Sequence, residues 1–199
     1  MAYRRLLVTG FEPFGGETVN PSWEAVTKLP ERIGNCQITK LCLPVVFERA
    51  GQKALDAAET ISADDILCVG QAGGRTGLTP EMFAVNLRYA SSEDNIGQMP
   101  KDASIRSDGP AAYFSTMPVR NMANAIKDRS LPASVSYSAG TFVCNDLFYL
   151  LLHASAGTER RIGFVHVPFM TGQADAKVFS MPLEDIVSGL CACIEVIAV

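Results

Sequence analysis

A chain of 199 residues, 48% hydrophobic and 19% charged, fits one globular domain spanning residues 1–199 and excludes intrinsic disorder. Its formal net charge of −4, with no basic stripe, excludes nucleic acid and an anionic membrane surface as partners. The six cysteines show no zinc spacing, since Cys191 and Cys193 form C-x-C rather than C-x-x-C, and only two histidines accompany them. No metal or other cofactor is expected, and all six thiols are expected to be free.

The apolar run Leu6 to Val8 is too short for a signal-peptide core or a membrane span, and no later run reaches spanning length. A soluble, cytoplasmic protein is therefore expected. Arg4 to Thr9 reads as a buried strand, followed by a Gly- and Pro-bracketed loop, Gly10 to Gly16. Asn20 and Pro21 open a helix that stops at Pro30. Gln37 to Val46 predicts a second strand, Phe47 to Thr60 a helix, and Ile66 to Val69 a short strand buried on both faces. The Gly-rich stretch Gly70 to Gly77 comes next, and Pro80 and Glu81 read as a helix start leading into Met82 to Leu87.

Tyr89 to Gly109 has neither helical nor strand periodicity; a stretch this long in a compact domain is usually functional or covers a site. Ala111 to Asp128 reads as helix around Pro118. The β-favouring run Val135 to Tyr137 meets a small-residue turn, Ser138 to Gly140, and a helix from about Asn145 to His153. Arg161 to Val167 predicts a strand ended by Pro168, and Leu183 to Ile197 the last helix. Alternating strands and helices predict an α/β protein, a three-layer α/β/α sandwich on a mostly parallel, twisted sheet.

Sites in such sheets form at the carboxyl ends of the strands. Four ends matter here: Gly10 to Gly16, Gly70 to Glu81, Gly140 to Cys144, and His166 to Thr171. Cys144 falls where strand gives way to helix, and a helix N-terminus favours thiolate and can hold an oxyanion. The alternative is one more buried cysteine. A thiol nucleophile needs a base. His153 ends the helix that Cys144 begins, well over 10 Å away at about 1.5 Å per residue, so His166 takes that role by elimination. Glu81 could orient the imidazole from the same rim, or be an ordinary first-turn helix acid; Asp146 reads as the latter. The Gly70 to Gly77 loop matches neither G-x-G-x-x-G nor a P-loop. Phe11 and Phe14 flank a tight turn, where they could cap a small, flat, uncharged group or simply pack the core.

Several stretches together resemble one family. Leu7 to Val26 (LVTGFEPFGGETVNPSWEAV), Val69 to Arg75 (VGQAGGR) through Pro80 and Glu81, Asp108 to Thr116 (DGPAAYFST), Ala139 to Asn145 (AGTFVCN) and Phe164 to Pro168 (FVHVP) are similar to the type I pyroglutamyl peptidases, also called pyrrolidone carboxyl peptidases. The resemblance spans essentially the whole chain, in order. It implies a cysteine peptidase that removes N-terminal pyroglutamate (5-oxoproline) from peptides through a thioester acyl-enzyme. Cys144 would be the nucleophile, His166 its base and Glu81 the orienting acid. It implies a lactam pocket walled by Phe11, Phe14, Phe142 and Val143 with Gln71 as a polar contact, no cofactor, and assembly as a homodimer or homotetramer.

Two departures stand out. Met82 and Phe83 follow the acid where the family typically has a basic and then a β-branched residue. Tyr89-Ala90-Ser91 replaces an Asp-Ala-Arg run whose arginine is thought to help build the oxyanion environment. The alternative implied is a catalytically weakened member that binds pyroglutamyl peptides.

Overall fold

The computed structural model describes residues 3–199. Its elements in chain order are β1 (Arg4–Phe11), α1 (Pro21–Lys28), β2 (Arg32–Ile33), β3 (Cys36–Leu43), α2 (Arg49–Thr60), β4 (Asp65–Gln71), β5 (Thr79–Pro80), β6 (Phe83–Val85) and β7 (Ala112–Phe114). Then follow α3 (Val119–Asp128), α4 (Val143–Ala154), β8 (Arg161–Val167), β9 (Phe169–Met170), β10 (Ser180–Met181) and α5 (Leu183–Ile197). The main sheet has the order β2-β3-β1-β4-β8-β5. Its centre, β3-β1-β4-β8, is parallel, with short antiparallel strands β2 and β5 at the edges.

Alternation of side chains along each strand builds two cores, one on each face of the sheet. Leu6, Val8, Leu67, Val69, Val165 and Val167 pack with residues of α1, α3 and α5. Leu7, Phe11, Ile66, Cys68, Ile162 and Phe164 pack with residues of α2 and α4. The result is the expected single-domain α/β/α arrangement on a curled, mostly parallel sheet. Each helix carries an apolar stripe toward its core; in α3 this is Val119, Met122, Ala123 and Ile126. At the amino ends of the strands, fully buried Asp65 accepts bidentate pairs from Arg4 (2.7 and 2.9 Å) and Arg161 (2.7 and 3.0 Å). This charge cluster ties β1, β4 and β8 together at the end opposite the candidate site.

One predicted helix is absent and another is only half present. Residues 80–87 form strand instead: Thr79 and Pro80 pair with β8 on its outer edge, where a missing N–H is tolerated, and Phe83–Val85 pair with β7. The segment 111–128 divides into β7 and α3 because Pro118 disfavours helix in the residue before it. Among the described residues the predicted strand Val135 to Tyr137 pairs only through one isolated bridge, Glu81 with Ser136, and a second bridge just before it joins Leu78 with Ala133.

Candidate active site

From β1 the chain passes to β3 on one side and later to β4 on the other, so the carboxyl ends of β1 and β4 flank a topological switch point. Phe11 ends β1, Gln71 ends β4, and His166 is the last residue but one of β8. Alternation puts His166 on the same face as Ile162 and Phe164, toward α4. Gly70, its register partner on β4, shares that face with Cys68.

Helix α4 arrives over this spot. Gly140, at φ +79°, turns the chain, and Phe142 caps the helix with no side-chain hydrogen bond. Cys144 thereby sits in the first turn, among backbone N–H groups that have no partner further back in the helix. Its sulfur lies directly over Gly70: a Cβ there would come within 2.9 Å of Cys144 Sγ and 2.8 Å of the Phe164 ring. Only glycine fits between the strand and the thiol. The next two residues anchor the turn. Asn145 bonds Val85 in both directions (2.9 Å each) and donates to the Leu87 carbonyl. Asp146 is the first-turn helix acid expected, and it is fully buried, taking Arg88 (2.6 Å) and the Glu48 N–H (2.7 Å).

Glu81, by contrast, is not a helix acid. Its N–H is held by the Phe164 carbonyl (2.9 Å), which sets the residue beside β8, and its side chain is fully buried. His166 Nδ1–H donates to Glu81 Oε1 at 2.6 Å, which assigns the tautomer and leaves Nε2 as the free acceptor. Arg75 reaches the same oxygen at 2.9 Å, and it also bonds Thr79 Oγ1 (2.5 Å) and the Ser138 carbonyl (3.1 Å). A buried carboxylate is costly unless paired and hydrogen-bonded, and these are the two partners of Glu81. Its Oε2 has no partner among the described residues.

Burial sets the protonation of the other two groups. It depresses the His166 pKa below the usual imidazole value; the Glu81 bond and charge oppose this and do not overcome it. Burial pushes the Cys144 thiol up to about 12, with the Glu81 charge adding to the rise and Arg75 opposing it. The residue as a whole is only half-buried, so solvent at the cavity mouth moderates that effect. Against the thiolate expected from the helix N-terminus, burial works to hold the thiol above its ordinary value and the imidazole below its own, so desolvation favours the neutral form of both.

Cys144 and His166 open into a cavity of about 320 Å³ whose lining includes all five predicted pocket residues, Phe11, Phe14, Gln71, Phe142 and Val143. Phe11 serves both alternatives, since it is buried in the core and lines the cavity. Phe142 stacks edge-on against Phe47 (5.3 Å between centroids) and lies 6.5 Å from Phe14. The aperiodic stretch from Tyr89 fastens this wall. Tyr89 and Thr141 exchange two hydrogen bonds (3.1 and 2.8 Å), Asp94 accepts from the N–H of Phe47 (3.1 Å), and Asn95 bonds Glu12 and Pro13 in the first loop. Sequence reasoning missed Asn20, Val45 and Arg75 in the lining. For Arg75 there was a signal, a cation in the loop that leads into Glu81.

With this geometry in place, likeness to known proteins is decisive. A family model described as "Pyroglutamyl peptidase" matches residues 4–199. The chain belongs to the pyroglutamyl peptidase family. The pyrrolidone-carboxylate peptidase of Enterococcus faecalis is 47% identical over 195 residues, covering 96% of this chain and 92% of that protein. The crystal structure of Bacillus amyloliquefaciens pyroglutamyl peptidase I superposes with a TM-score of 0.95 at 42% identity, over 98% of this chain and 97% of the other. The Thermococcus litoralis pyrrolidone carboxyl peptidase gives 0.92 at 34% identity, over 97% and 92%. This member of the family is therefore a hydrolase, a peptidase, on the family's fold. Among its described residues no helix is long and apolar enough to cross a membrane.

Proposed function

We propose that the protein removes N-terminal pyroglutamate from peptides by acyl transfer to Cys144. The supporting observation is the 2.6 Å bond between His166 and buried Glu81 at the wall of an apolar cavity that also holds the Cys144 thiol. Pyroglutamate is a flat lactam without a free α-amine, and a cavity walled by Phe11, Phe14 and Phe142 suits such a ring. Gln71 supplies a polar contact for the lactam amide. A group lacking that amide would leave buried polar atoms unpaired, which is how a small site rejects near-relatives of its substrate.

In the first half-reaction the Cys144 Sγ–H proton passes to His166 Nε2 as the sulfur bonds the carbonyl carbon joining pyroglutamate to the next residue. The oxyanion is held by the N–H groups of the first turn of α4. Glu81 stabilises the imidazolium that forms. The C–N bond then breaks, and the Nε2 proton goes to the departing amine, leaving a thioester. Water adds to the thioester with its proton taken by Nε2; the C–S bond breaks and the proton returns to sulfur. Pyroglutamate and the shortened peptide are the products.

Release of a chromogenic amine from a pyroglutamyl amide tests the reading. The wild-type protein should turn the amide over, and Cys144→Ala should be inactive while still binding 5-oxoproline. Absence of release by the wild type would favour a pyroglutamyl-peptide binder and reject the peptidase. Release that survives Cys144→Ala would reject the nucleophile.

A further inference from the structure

We infer that the part of the peptide beyond the cut bond lies extended along the open edge of residues 133–137 and enters a second cavity that ends at Lys127. This rests on the peptidase reading above. The second cavity, about 560 Å³, shares Arg75 with the cavity at Cys144, so the two meet at one side chain. Its floor is the segment Leu131–Ser136, which runs on through Tyr137 into the turn Ser138 to Gly140 that lines the first cavity.

The backbone of this segment is satisfied on one edge only. The Leu78 N–H donates to the Pro132 carbonyl (3.0 Å), Ser134 to Leu78 (3.2 Å), Ser136 to Pro80 (2.9 Å) and Met82 to Ser136 (2.8 Å). In an extended chain N–H and C=O groups alternate between edges, which turns those of Ala133, Val135 and Tyr137 the other way. Among the described residues these three make no backbone hydrogen bond. Such a row is a template for a further strand. A peptide whose first residue fills the cavity at Cys144 is the occupant within reach of it, and strand addition gives affinity through the main chain with little regard to side chains.

Charge marks the far end. Among the described residues Arg75 is tied to Glu81, Lys127 makes no ion pair, and no carboxylate belongs to the lining of the second cavity. Lys127 therefore favours a carboxylate on the departing peptide, either its C-terminus or an acidic side chain.

The test compares kcat/KM for pyroglutamyl-alaninamide, pyroglutamyl-trialanine as free acid and as C-terminal amide, pyroglutamyl-Ala-Ala-Asp amide, and the trialanine N-methylated at its second alanine. Lengthening should raise kcat/KM about tenfold, the return of one or two net hydrogen bonds, and N-methylation should abolish the gain. Free acid should exceed amide about threefold, and Lys127→Glu should reverse that order while leaving turnover of a chromogenic pyroglutamyl amide unchanged. The Asp-containing amide shows whether a side chain serves as well as a C-terminus. Equal kcat/KM for short, long and N-methylated substrates, with normal turnover of the chromogenic amide, would overturn the strand-edge subsite and leave the peptidase standing. An acid-to-amide ratio indifferent to Lys127→Glu would overturn the carboxylate end. No turnover of any substrate would remove the peptidase reading, and the subsite with it.

Discussion

Replacing Glu81 by glutamine changes one oxygen to an NH2 group and removes one charge, in a place where the structure leaves no room for compensation. Glu81 Oε1 accepts from both His166 and Arg75, at 2.6 and 2.9 Å, and the carboxylate is fully buried. If the glutamine oxygen keeps these two partners, its NH2 falls at the Oε2 position, which receives no hydrogen bond among the described residues, and a buried amide that finds no acceptor there costs about 1–3 kcal/mol. If the amide turns over, NH2 faces Nδ1, the imidazole takes the other tautomer, and Nε2 presents a proton to Cys144 instead of a lone pair. Either way the imidazolium formed on attack loses its counter-charge. The expected fall in kcat is about 10²–10⁴-fold, or roughly 3–5 kcal/mol of barrier. KM should stay within about threefold, because Glu81 is not part of the cavity wall. The acidic limb of kcat/KM gives a second readout. Activity requires neutral His166, so it is present above the His166 pKa and lost below it, and burial puts that limb below 6.5 in the wild type. Removing the carboxylate, which raises the His166 pKa, should move the limb further to acid. Steady-state kinetics from pH 4 to 9, with thermal melts to verify folding, measure all of this. A Glu81→Gln variant with kcat within threefold of wild type, or with the loss carried by KM, would refute the orienting role.

Inactivation by iodoacetamide should climb steadily with pH from 6 to 9, because burial holds the Cys144 thiol near 12; a plateau below pH 7 would mean a resting thiolate–imidazolium pair instead. Gly70→Ala should cut kcat at least about 100-fold by pushing Sγ off its seat, with KM little changed; wild-type turnover would mean that Cys144 Sγ need not lie against this strand. Asp65→Ala, far from the site, should cost about 3–5 kcal/mol in urea unfolding, because Arg4 and Arg161 lose a buried partner. Burial raises the Asp65 pKa, but its bonds to Arg161 and Arg4 outweigh that and hold it low. Its contribution to stability is therefore complete above the unfolded value of about 3.9 and lost as pH falls through the lower folded value, so wild type and variant should converge only in strong acid. A constant difference down to pH 2 would contradict this.

The order of strands and helices was legible because buried parallel strands read as short apolar runs, and Ile66 to Val69 and Arg161 to Val167 fall where expected. What misled was local helix chemistry at Pro80 and Glu81. A proline followed by an acid is a sound helix-start signal, but long-range pairing with β8 and β7 prevailed. The same limit applied to Cys144. Its place at a helix start is local and was readable, whereas Glu81 and Cys68, whose charges act on its thiol, and Gly70, which lies against its sulfur, come from distant parts of the chain. Long-range burial, not the local dipole, decides the proton. Arg75 escaped for a related reason: its importance lies in reaching Glu81, Thr79 and Ser138 at once, a convergence that only the folded chain displays.

That convergence bears on the missing arginine at position 91. Ser91 is exposed, and Arg88, close by in sequence, points its charge at Asp146 and Glu48 rather than into the cavity. Among the described residues Arg75 is left as the one permanent cation in the lining, with Glu81 as its partner at 2.9 Å. With His166 neutral and the thiol protonated, the resting cavity carries no net charge. An ordinary N-terminal residue would have to bury an ammonium there with no counter-ion, at a cost of several kcal/mol. The uncharged lactam avoids that cost. On this view position 91, which lies outside the cavity lining, does not set selectivity. Ser91→Arg should therefore leave alanyl and glutamyl amides unhydrolysed. Hydrolysis of those amides by the wild-type protein would show that charge neutrality is not what selects the ring.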